Sequence, residues 1–267
     1  MSDNGFYTKN GVLFCRALAE LPFIAHGFST RDGGVSVLGY TKSLNLAYCR
    51  GDDDATVNEN RRRFAANAGF DPGGLVCAEQ IHSTSVVYAD GTKKRFSGAD
   101  GFVTDVPGVF AAVKTADCQP ILFADPENRI VGVCHAGWRG TVGHIAAVTV
   151  EKMTGLGAKR ENIVAAAGPC IGKCCFEVKE DFVAAVEKAD ASLLGFIVRR
   201  GGAYFADMNG MNLKIMKDCG LSEENIFVCG ECTCCSPDKY YSHRRQKGVR
   251  GTMMSVIGIK KETSSLL

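Results

Sequence analysis

The sequence predicts an α+β fold, a single-domain sandwich in which mixed central β-sheets are flanked by helices. Short apolar runs with many β-branched or aromatic residues dominate the first half of the chain, and helical patterns cluster in the second half. The 267 residues contain no Pro/Ser-rich linker, low-complexity tract or repeat. At about 150 residues per domain, this length suits one large domain or two small ones. We therefore expect one domain over residues 1–267.

Eight segments are predicted strands because they are short, apolar and bounded by Gly, Pro, Asp or Asn. They are residues 22–28, 85–89, 109–114, 120–124, 129–135, 162–168, 225–230 and 253–259. Helical periodicity predicts four helices, at residues 54–68, 141–154, 178–189 and 209–219. The pattern at 141–154 is apolar on nearly all sides, so we expect that helix to be buried.

Charge and hydropathy exclude several classes of protein. The chain has 31 basic and 29 acidic side chains, a net charge of +2, which argues against a nucleic-acid or anionic-membrane partner. The first twenty residues lack the pattern of a secretory signal, and no apolar run approaches the roughly 18 residues that a membrane span needs. We expect a cytoplasmic protein, and the sequence specifies no protein partner.

The 13 cysteines are expected to be reduced thiols, and most of them to be small buried hydrophobic residues. An odd number cannot pair completely within one chain. Two dense groups, Cys174-Cys175 and the CTCC run at 232–235, have the look of a metal site. Adjacent cysteines do not reproduce the geometry of a CxxC pair, so we expect both groups to serve packing.

One cysteine and two of the five histidines lie in settings that suit chemistry better than packing. His82 precedes a predicted strand, Cys118 lies between two, and His135 ends a third. The predicted strands 109–114, 120–124 and 129–135 would bring Cys118 and His135 to the same end of one sheet. Two imidazoles and a thiolate make a three-ligand Zn²⁺ site that leaves a fourth position for water, whose pKa the metal lowers. From spacing alone, the alternative interpretation stays open that Cys118 is a buried thiol and the two histidines are hydrogen-bonded structural residues.

The segment after His135 indicates an anion site. Glycines 137, 140 and 143 surround Arg139, and Thr141 is placed to cap the following helix. A helix start offers free backbone N–H groups, and an arginine beside it can bind phosphate or carboxylate through two hydrogen bonds. The alternative is a tight strand-to-helix turn that requires glycine at positive φ.

A set of motifs follows in order from about residue 22 to residue 258. They are HGFSTRDGGVS (26–36), SLNLAYCRGDD (43–53), AEQIH (78–82), TADCQPILFADP (115–126), VCHAGWRGT (133–141), GPCIGKCCFEV (168–178) and CTCC…YYSHRR (232–245). Together they resemble the laccase-domain family, whose members were first described as multicopper polyphenol oxidases and later as purine nucleoside phosphorylases.

The resemblance implies a function and a set of site residues. It makes His82, Cys118 and His135 one catalytic metal-binding cluster for zinc, with copper possible. It implies a single α+β sandwich similar to the catalytic domains of bacterial deamidating toxins. The implied reactions are phosphorolysis of adenosine, inosine and methylthioadenosine and hydrolytic deamination of adenosine, so purine nucleoside and phosphate are the expected partners. Arg139 and the adjoining helix start, with Arg31 of the STRDGG loop, are the candidates for binding the anion.

The chain departs from the family pattern near residue 240. The family reads FFSYRR followed by Gly-Arg, whereas this chain reads YYSHRR (240–245) and later Gly251-Thr252. The expected arginine is therefore absent or displaced to Arg250, and any role assigned to it is in doubt.

Three other functions remain as alternatives for a protein with these residues. A metal-free amidase or hydrolase would use Cys118 as nucleophile and His135 as base. A copper-dependent phenol oxidase ranks lower, because five histidines are too few for a multicopper centre. A non-catalytic binding module would need the pocket but not the reactive residues.

Overall fold

Two β-sheets pack face to face at the centre of this computed structural model, which describes residues 5–262, and helices cover their outer faces. The α+β prediction is confirmed. Each of the eight predicted strands overlaps an observed strand, and within the described residues the structure adds eight strands that the patterns missed.

The helices and strands have the following bounds. The strands are β1 (Phe6–Lys9), β2 (Val12–Cys15), β3 (Ile24–Ser29), β4 (Leu75–Glu79), β5 (Val86–Tyr88), β6 (Arg95–Ser97), β7 (Gly101–Thr104), β8 (Phe110–Thr115), β9 (Gln119–Asp125), β10 (Ile130–Ala136), β11 (Val164–Ala167), β12 (Glu177–Val178), β13 (Ile197–Arg200), β14 (Ala203–Ala206), β15 (Ile226–Val228) and β16 (Met253–Ile259). The α-helices are α1 (Arg16–Ala19), α2 (Asp54–Ala68), α3 (Trp138–Val142), α4 (Ile145–Gly155), α5 (Glu180–Ala189) and α6 (Met208–Asp218).

Both large sheets mix parallel and antiparallel pairs. The first has the order β1-β2-β3-β16-β8-β4-β6, in which β4 runs parallel to both its neighbours. The second has the order β15-β11-β9-β10-β7-β5, in which the outer pairs β11/β15 and β5/β7 are parallel. A small third sheet, β12-β14-β13, lies apart from these two.

Apolar side chains fill three layers of this sandwich. The middle layer lies between the two sheets and includes Phe28 from the first and Phe102 and Leu122 from the second. The outer face of the first sheet packs against Phe64 of α2. The outer face of the second sheet packs against α4, α5 and α6, and its core includes the buried Val150 of α4. Because the second sheet is covered on both faces, its strands β9 and β10 are buried along their whole length.

The predicted helix at 141–154 is wrong in one respect, because the chain forms two helices there. The short α3 ends at Gly143, and His144, with φ of 60°, turns the chain before α4 begins. A left-handed residue interrupts the helical hydrogen bonds, so α4 has a separate start. Thr141 is not a cap, since it lies inside α3 and its buried hydroxyl has no hydrogen-bond partner in the described part of the chain.

The described helices include none that is long and apolar enough to span a membrane.

Candidate metal centre

The predicted metal ligands lie at one edge of the sandwich, where the chain crosses between the two large sheets. His82 lies in the crossing from β4 in the first sheet to β5 in the second, and Cys118 lies in the crossing from β8 to β9. His135 is near the end of β10, opposite Pro120 in the antiparallel β9–β10 pair. The hairpin therefore brings Cys118 and His135 together as predicted. Strand 109–114 was expected in the same sheet, but β8 belongs to the other one.

The three ligand atoms form a compact set. The ligand atoms of His82, Cys118 and His135 all lie within 4.8 Å of one another, and Cys118 Sγ is 3.9 Å from His82 Nε2. Two ligands of one tetrahedral zinc, each about 2.1–2.3 Å from the ion, lie roughly 3.4–3.8 Å apart. The soft thiolate and two imidazoles match the donors that zinc or copper prefers, so the residues fit such an ion.

Asp100 orients both histidines. This fully buried carboxylate lies 2.9 Å from His135 Nδ1 and accepts backbone N–H bonds from Ile81, His82 and Ser83. The contact to Nδ1 leaves Nε2 of His135 as its ligand atom. A carboxylate that holds a ligating histidine in this way fixes its tautomer and raises its basicity.

Gly137 leaves the space in which the three ligands meet. A Cβ at this position would lie 2.9 Å from His82 Cδ2, 3.3 Å from Cys118 Sγ and 3.4 Å from His135 Cε1. Its φ of −67° is available to any residue, so its role is close approach rather than a left-handed turn. The alternative that the glycines of this segment serve positive φ is wrong, since His144 is the residue there that has one.

The electrostatics of the site favour charged forms of the cysteine and the buried histidine. Burial opposes ionisation of Cys118, but the charge of His135 and hydrogen bonds from both histidines outweigh it and lower the pKa of the thiol. Burial also opposes protonation of His135, yet the Cys118 thiolate and Asp100 raise the pKa of its imidazole. Burial would raise the pKa of Asp100, but hydrogen bonds from His135 and Ser83 hold it well below its usual range.

The three ligands line a cavity of about 870 Å³. Its wall carries three aromatic side chains, Tyr48, Trp138 and Phe176. It also carries five arginine and lysine side chains and two carboxylates, namely Arg50, Lys114, Arg139, Arg244 and Arg250 with Glu79 and Asp117. This combination of aromatic faces and positive charge suits a ligand that has both a planar ring and an anionic group.

The two predicted anion-binding arginines have different positions. Arg139 lines the cavity, and its guanidinium lies 4.2 Å from the centre of the Trp138 ring. Arg31 is not among the lining residues, because its guanidinium donates to the carbonyls of Lys42 and Pro237 and packs over the Tyr241 ring. The structure brings Arg139, and not Arg31, to the metal ligands.

Sequence reasoning missed several residues of this site. Asp100 and Gly137 act on the ligands without binding metal, and the available signals were a carboxylate just before an apolar strand and a glycine next to a candidate ligand. Arg250, which was in doubt, lines the cavity with its Nη1 bonded to Thr252 Oγ1 at 3.0 Å. Its buried Nε has no hydrogen-bond partner among the described residues.

The chain is similar to known proteins along most of its length. A family described as multi-copper polyphenol oxidoreductase laccase matches residues 25–260. A purine nucleoside phosphorylase from Deinococcus radiodurans is 42% identical over 238 residues, which cover 89% of this chain and 90% of that protein. Adenosine deaminase RL5, from an unknown prokaryotic organism, is 36% identical over 232 residues, or 82% of this chain and 87% of that protein.

The fold also matches solved structures. The crystal structure of a hypothetical protein YfiH from Bacillus licheniformis superposes with a TM-score of 0.89 at 30% identity, covering 97% of this chain and 100% of that one. The resemblance drawn from the motifs is confirmed. With the family match over residues 25–260 and 42% identity to a relative of similar length, the chain belongs to the multi-copper polyphenol oxidoreductase laccase family.

Proposed function

We propose that this protein is a zinc-dependent purine nucleoside enzyme that carries out phosphorolysis of adenosine, inosine and methylthioadenosine and hydrolytic deamination of adenosine. The observation that carries the proposal is the His82–Cys118–His135 set on the wall of a cavity with aromatic and basic sides. The names of the Deinococcus and RL5 relatives support the substrate class. Copper is the alternative metal for the same three ligands.

The aromatic side chains of the cavity would bind the purine ring. Tyr48, Trp138 and Phe176 line the cavity, and a flat heterocycle gains from stacking on such rings. The volume of about 870 Å³ is in the range of roughly 300–1,000 Å³ that small-molecule sites occupy. A nucleoside and a phosphate ion therefore fit together in this space.

Basic side chains of the cavity would bind the phosphate ion. Arg139 is exposed on the wall, and Arg250 presents a buried Nε that lacks a partner among the described residues. An unsatisfied buried donor is costly, and an anion that enters the cavity would satisfy it. We assign phosphate to this side of the cavity.

The metal ligands have separate tasks in this proposal. His82, Cys118 and His135 hold the ion, which supplies Lewis acidity when bound. Asp100 keeps His135 in the tautomer that ligates through Nε2. Gly137 keeps the space beside the ligands free of side-chain atoms.

Product analysis tests the proposal directly. Purified protein is incubated with adenosine, with and without phosphate, and the products are separated. Adenine with ribose 1-phosphate that forms only with phosphate supports phosphorolysis, and inosine supports deamination. A Cys118→Ala variant should lose both activities, while Cys219→Ser, which alters a thiol at the end of α6, should keep them. Formation of neither product by the zinc-loaded protein would overturn the proposal.

The lowered pKa of Cys118 and the raised pKa of His135 also favour a second candidate, a metal-free Cys–His amidase or hydrolase. The thiolate cannot be at once a tight metal ligand and a free nucleophile. Chelation that abolishes activity supports the metal enzyme. Activity that survives chelation, together with iodoacetamide labelling of Cys118 that zinc does not slow, supports the hydrolase. Oxidation of a phenol by the copper-loaded protein at a rate matching its nucleoside activity would support an oxidase instead.

A further inference from the structure

We propose that Cys174, Cys175, Cys232 and Cys235 bind a second, structural Zn²⁺ through four thiolates. The four Sγ atoms lie within 4.8 Å of one another. Cys235 Sγ is 3.5 Å from that of Cys174 and 3.3 Å from that of Cys175. The site uses none of the ligands assigned to the nucleoside cavity, so it does not depend on the function proposed above.

The distances suit a single ion. Four sulfurs about 2.3 Å from one tetrahedral zinc lie roughly 3.8 Å apart, and the observed sulfurs have separations of 3.3 and 3.5 Å from that of Cys235 and all lie within 4.8 Å of one another. A disulfide would need two sulfurs about 2.05 Å apart, and all four cysteines are free thiols. An iron–sulfur cluster places several iron and sulfide ions between its cysteines and spreads them farther apart. The compact set therefore points to one zinc ion.

Two loops supply the four thiols. Cys232 and Cys235 have CxxC spacing, which is common in structural zinc sites. The adjacent pair lies in a turn in which the Cys175 N–H donates to the Gly172 carbonyl at 2.9 Å. This turn brings both sulfurs of the pair to Cys235 and overcomes the objection that adjacent cysteines lack CxxC geometry. The expectation that these cysteines serve packing fits poorly, since Cys174 and Cys235 are exposed.

Gly172 adds a second feature of zinc–thiolate sites. Its backbone N–H donates to Cys232 Sγ at 3.2 Å. An N–H donor of this kind stabilises the negative charge on a ligating sulfur. A Cβ at Gly172 would lie 3.3 Å from Cys174 Sγ and 3.5 Å from Cys232 Sγ, so glycine leaves the sulfurs room to surround an ion.

Positive charge surrounds the cluster. Zinc with four thiolates has a net charge of −2, which neighbouring cations stabilise. Arg244 donates to the carbonyl of Cys175 at 3.1 Å, and Arg245 donates to that of Thr233 at 2.7 Å. Arg200 donates to the first loop as well, at a carbonyl next to Cys174. Guanidinium groups thus lie beside both loops that carry the ligands.

Asp117, the residue before the candidate ligand Cys118, links the four-cysteine cluster to the nucleoside cavity. The backbone N–H of Arg244 and the hydroxyl of Thr233 both donate to the Asp117 carboxylate, at 2.7 and 2.6 Å. The N–H of Ile171 donates to the carbonyl of the same residue at 2.8 Å. Fixing the two cysteine loops would therefore fix the backbone at Cys118 and the cavity wall formed by Ile171 and Arg244.

Metal content tests the proposal. The protein is purified under reducing conditions and its zinc is measured by elemental analysis and native mass spectrometry. We expect two zinc ions per chain. Cys174→Ser with Cys235→Ser should lose one ion, His82→Ala with Cys118→Ala should lose the other, and the matched control Cys219→Ser should keep both. Two zinc ions in the first double variant would overturn the proposal.

X-ray absorption keeps the proposal testable if the cysteine variant does not fold. The His82→Ala/Cys118→Ala protein retains all four thiols, and we expect its single zinc to show four sulfur neighbours at about 2.3 Å. Nitrogen or oxygen neighbours, iron in place of zinc, or no bound metal would each overturn the proposal. A mass that shows a disulfide between two of the four cysteines, in protein purified under reducing conditions, would also overturn the proposal.

Discussion

At the scale of single residues, the metal centre depends on a side chain that is missing. The hydrogen of Gly137 leaves space at a point where a Cβ would lie only 2.9 Å from the His82 ring. In Gly137→Ala the ring must move, and we expect zinc affinity, measured by competition with a chelator, to fall on the order of tenfold. Gly155→Ala is the matched control, because its Cβ meets nothing within 4 Å. Equal affinities in the two variants would contradict this role.

Arg250 separates the two proposed reactions. Arg250 lines the cavity, and its buried Nε has no hydrogen-bond partner within residues 5–262, so Arg250→Met should remove a proposed phosphate contact worth about 1.5–3 kcal/mol. We expect the KM for phosphate to rise by about tenfold to a hundredfold, with a smaller change in phosphate-independent deamination. Steady-state kinetics at varied phosphate concentration measures this. Arg31→Met is the comparison, and an equal rise in KM there would place phosphate at Arg31 instead.

His26 makes the stability of the protein depend on pH. This buried imidazole accepts the Cys15 backbone N–H at 3.1 Å, and burial lowers its pKa to about 4. The folded state therefore binds its proton less readily than the unfolded state, whose pKa is about 6.5. Stability is fully present above about pH 6.5 and falls as the pH drops toward 4.

Urea unfolding checks this linkage. Between pH 7 and pH 5 the wild type should lose about 2 kcal/mol more than His26→Gln, which offers an acceptor but does not titrate. Equal losses in the two proteins would show that His26 is not the titrating group.

Residue-level prediction selected the three candidate ligands but not the residues that position them. His82, Cys118 and His135 stood out because their residue types are rare and reactive, and the structure places them together. Asp100 and Gly137 act on the ligands because they lie close to them in space. That closeness depends on segments that are far apart in sequence. A carboxylate before an apolar stretch or a glycine near a candidate ligand is a weak signal in a chain with 29 acidic residues and 31 glycines.

At the scale of secondary-structure elements, the site is built where β4–β5 and β8–β9 cross between the sheets. Both crossings contain a non-glycine residue at positive φ, His82 at 61° and Asp117 at 92°. Such conformations cost free energy and persist only where surrounding contacts impose them. In the first crossing, the Asp100 carboxylate supplies those contacts.

Asp100→Asn tests this arrangement. The amide has one acceptor oxygen in place of two, so it cannot accept all the donors of Ile81, His82, Ser83 and His135. We expect zinc affinity, measured by chelator competition, to fall about 10–100-fold. Asp125→Asn removes another buried carboxylate that accepts N–H donors, at the far end of the β9–β10 hairpin. That control should lose stability and keep its zinc affinity, and a shared loss of affinity would contradict the role of Asp100.

Periodicity located half of the described strands and the helices α2, α4, α5 and α6, and it misjudged one helix boundary because the break depends on a contact that is remote in sequence. The apolar run at 141–154 has no proline to signal a break, and the left-handed conformation of His144 is a tertiary choice. Gly143 packs against Thr84, where a Cβ would come within 2.5 Å of a methyl carbon. This contact with a remote loop was not visible in the sequence.

At the scale of the whole molecule, composition and pattern predicted the α+β sandwich but not which strands are neighbours. Strand pairing depends on contacts between residues far apart in sequence. The strand 109–114 was placed beside 120–124 because they are close in sequence, yet they lie in different sheets. The expected strand–loop–strand arrangement is confirmed only for the hairpin that β9 and β10 form.

Metal binding should stabilise the folded chain as a whole, because two of the three candidate ligands, His82 and Cys118, lie in crossings that join both sheets and the third lies in β10. A ligand at a thousand times its Kd stabilises the native state by about 4 kcal/mol. In a protein of this size that raises Tm on the order of 10 °C. Thermal melts with and without zinc should show a smaller shift for Cys118→Ala than for the wild type. An identical shift in the two proteins would place the stabilising zinc elsewhere.

The position of β16 has a consequence for how the protein is made. This strand lies in the interior of the first sheet, between β3 and β8, although it follows both in the chain. While the ribosome is synthesising residues 116–252, the edges of β3 and β8 that β16 will pair with therefore have no partner strand. The middle layer of the sandwich cannot close until residue 259 has left the exit tunnel. Nascent chains should need protection of those edges from aggregation until synthesis passes that point.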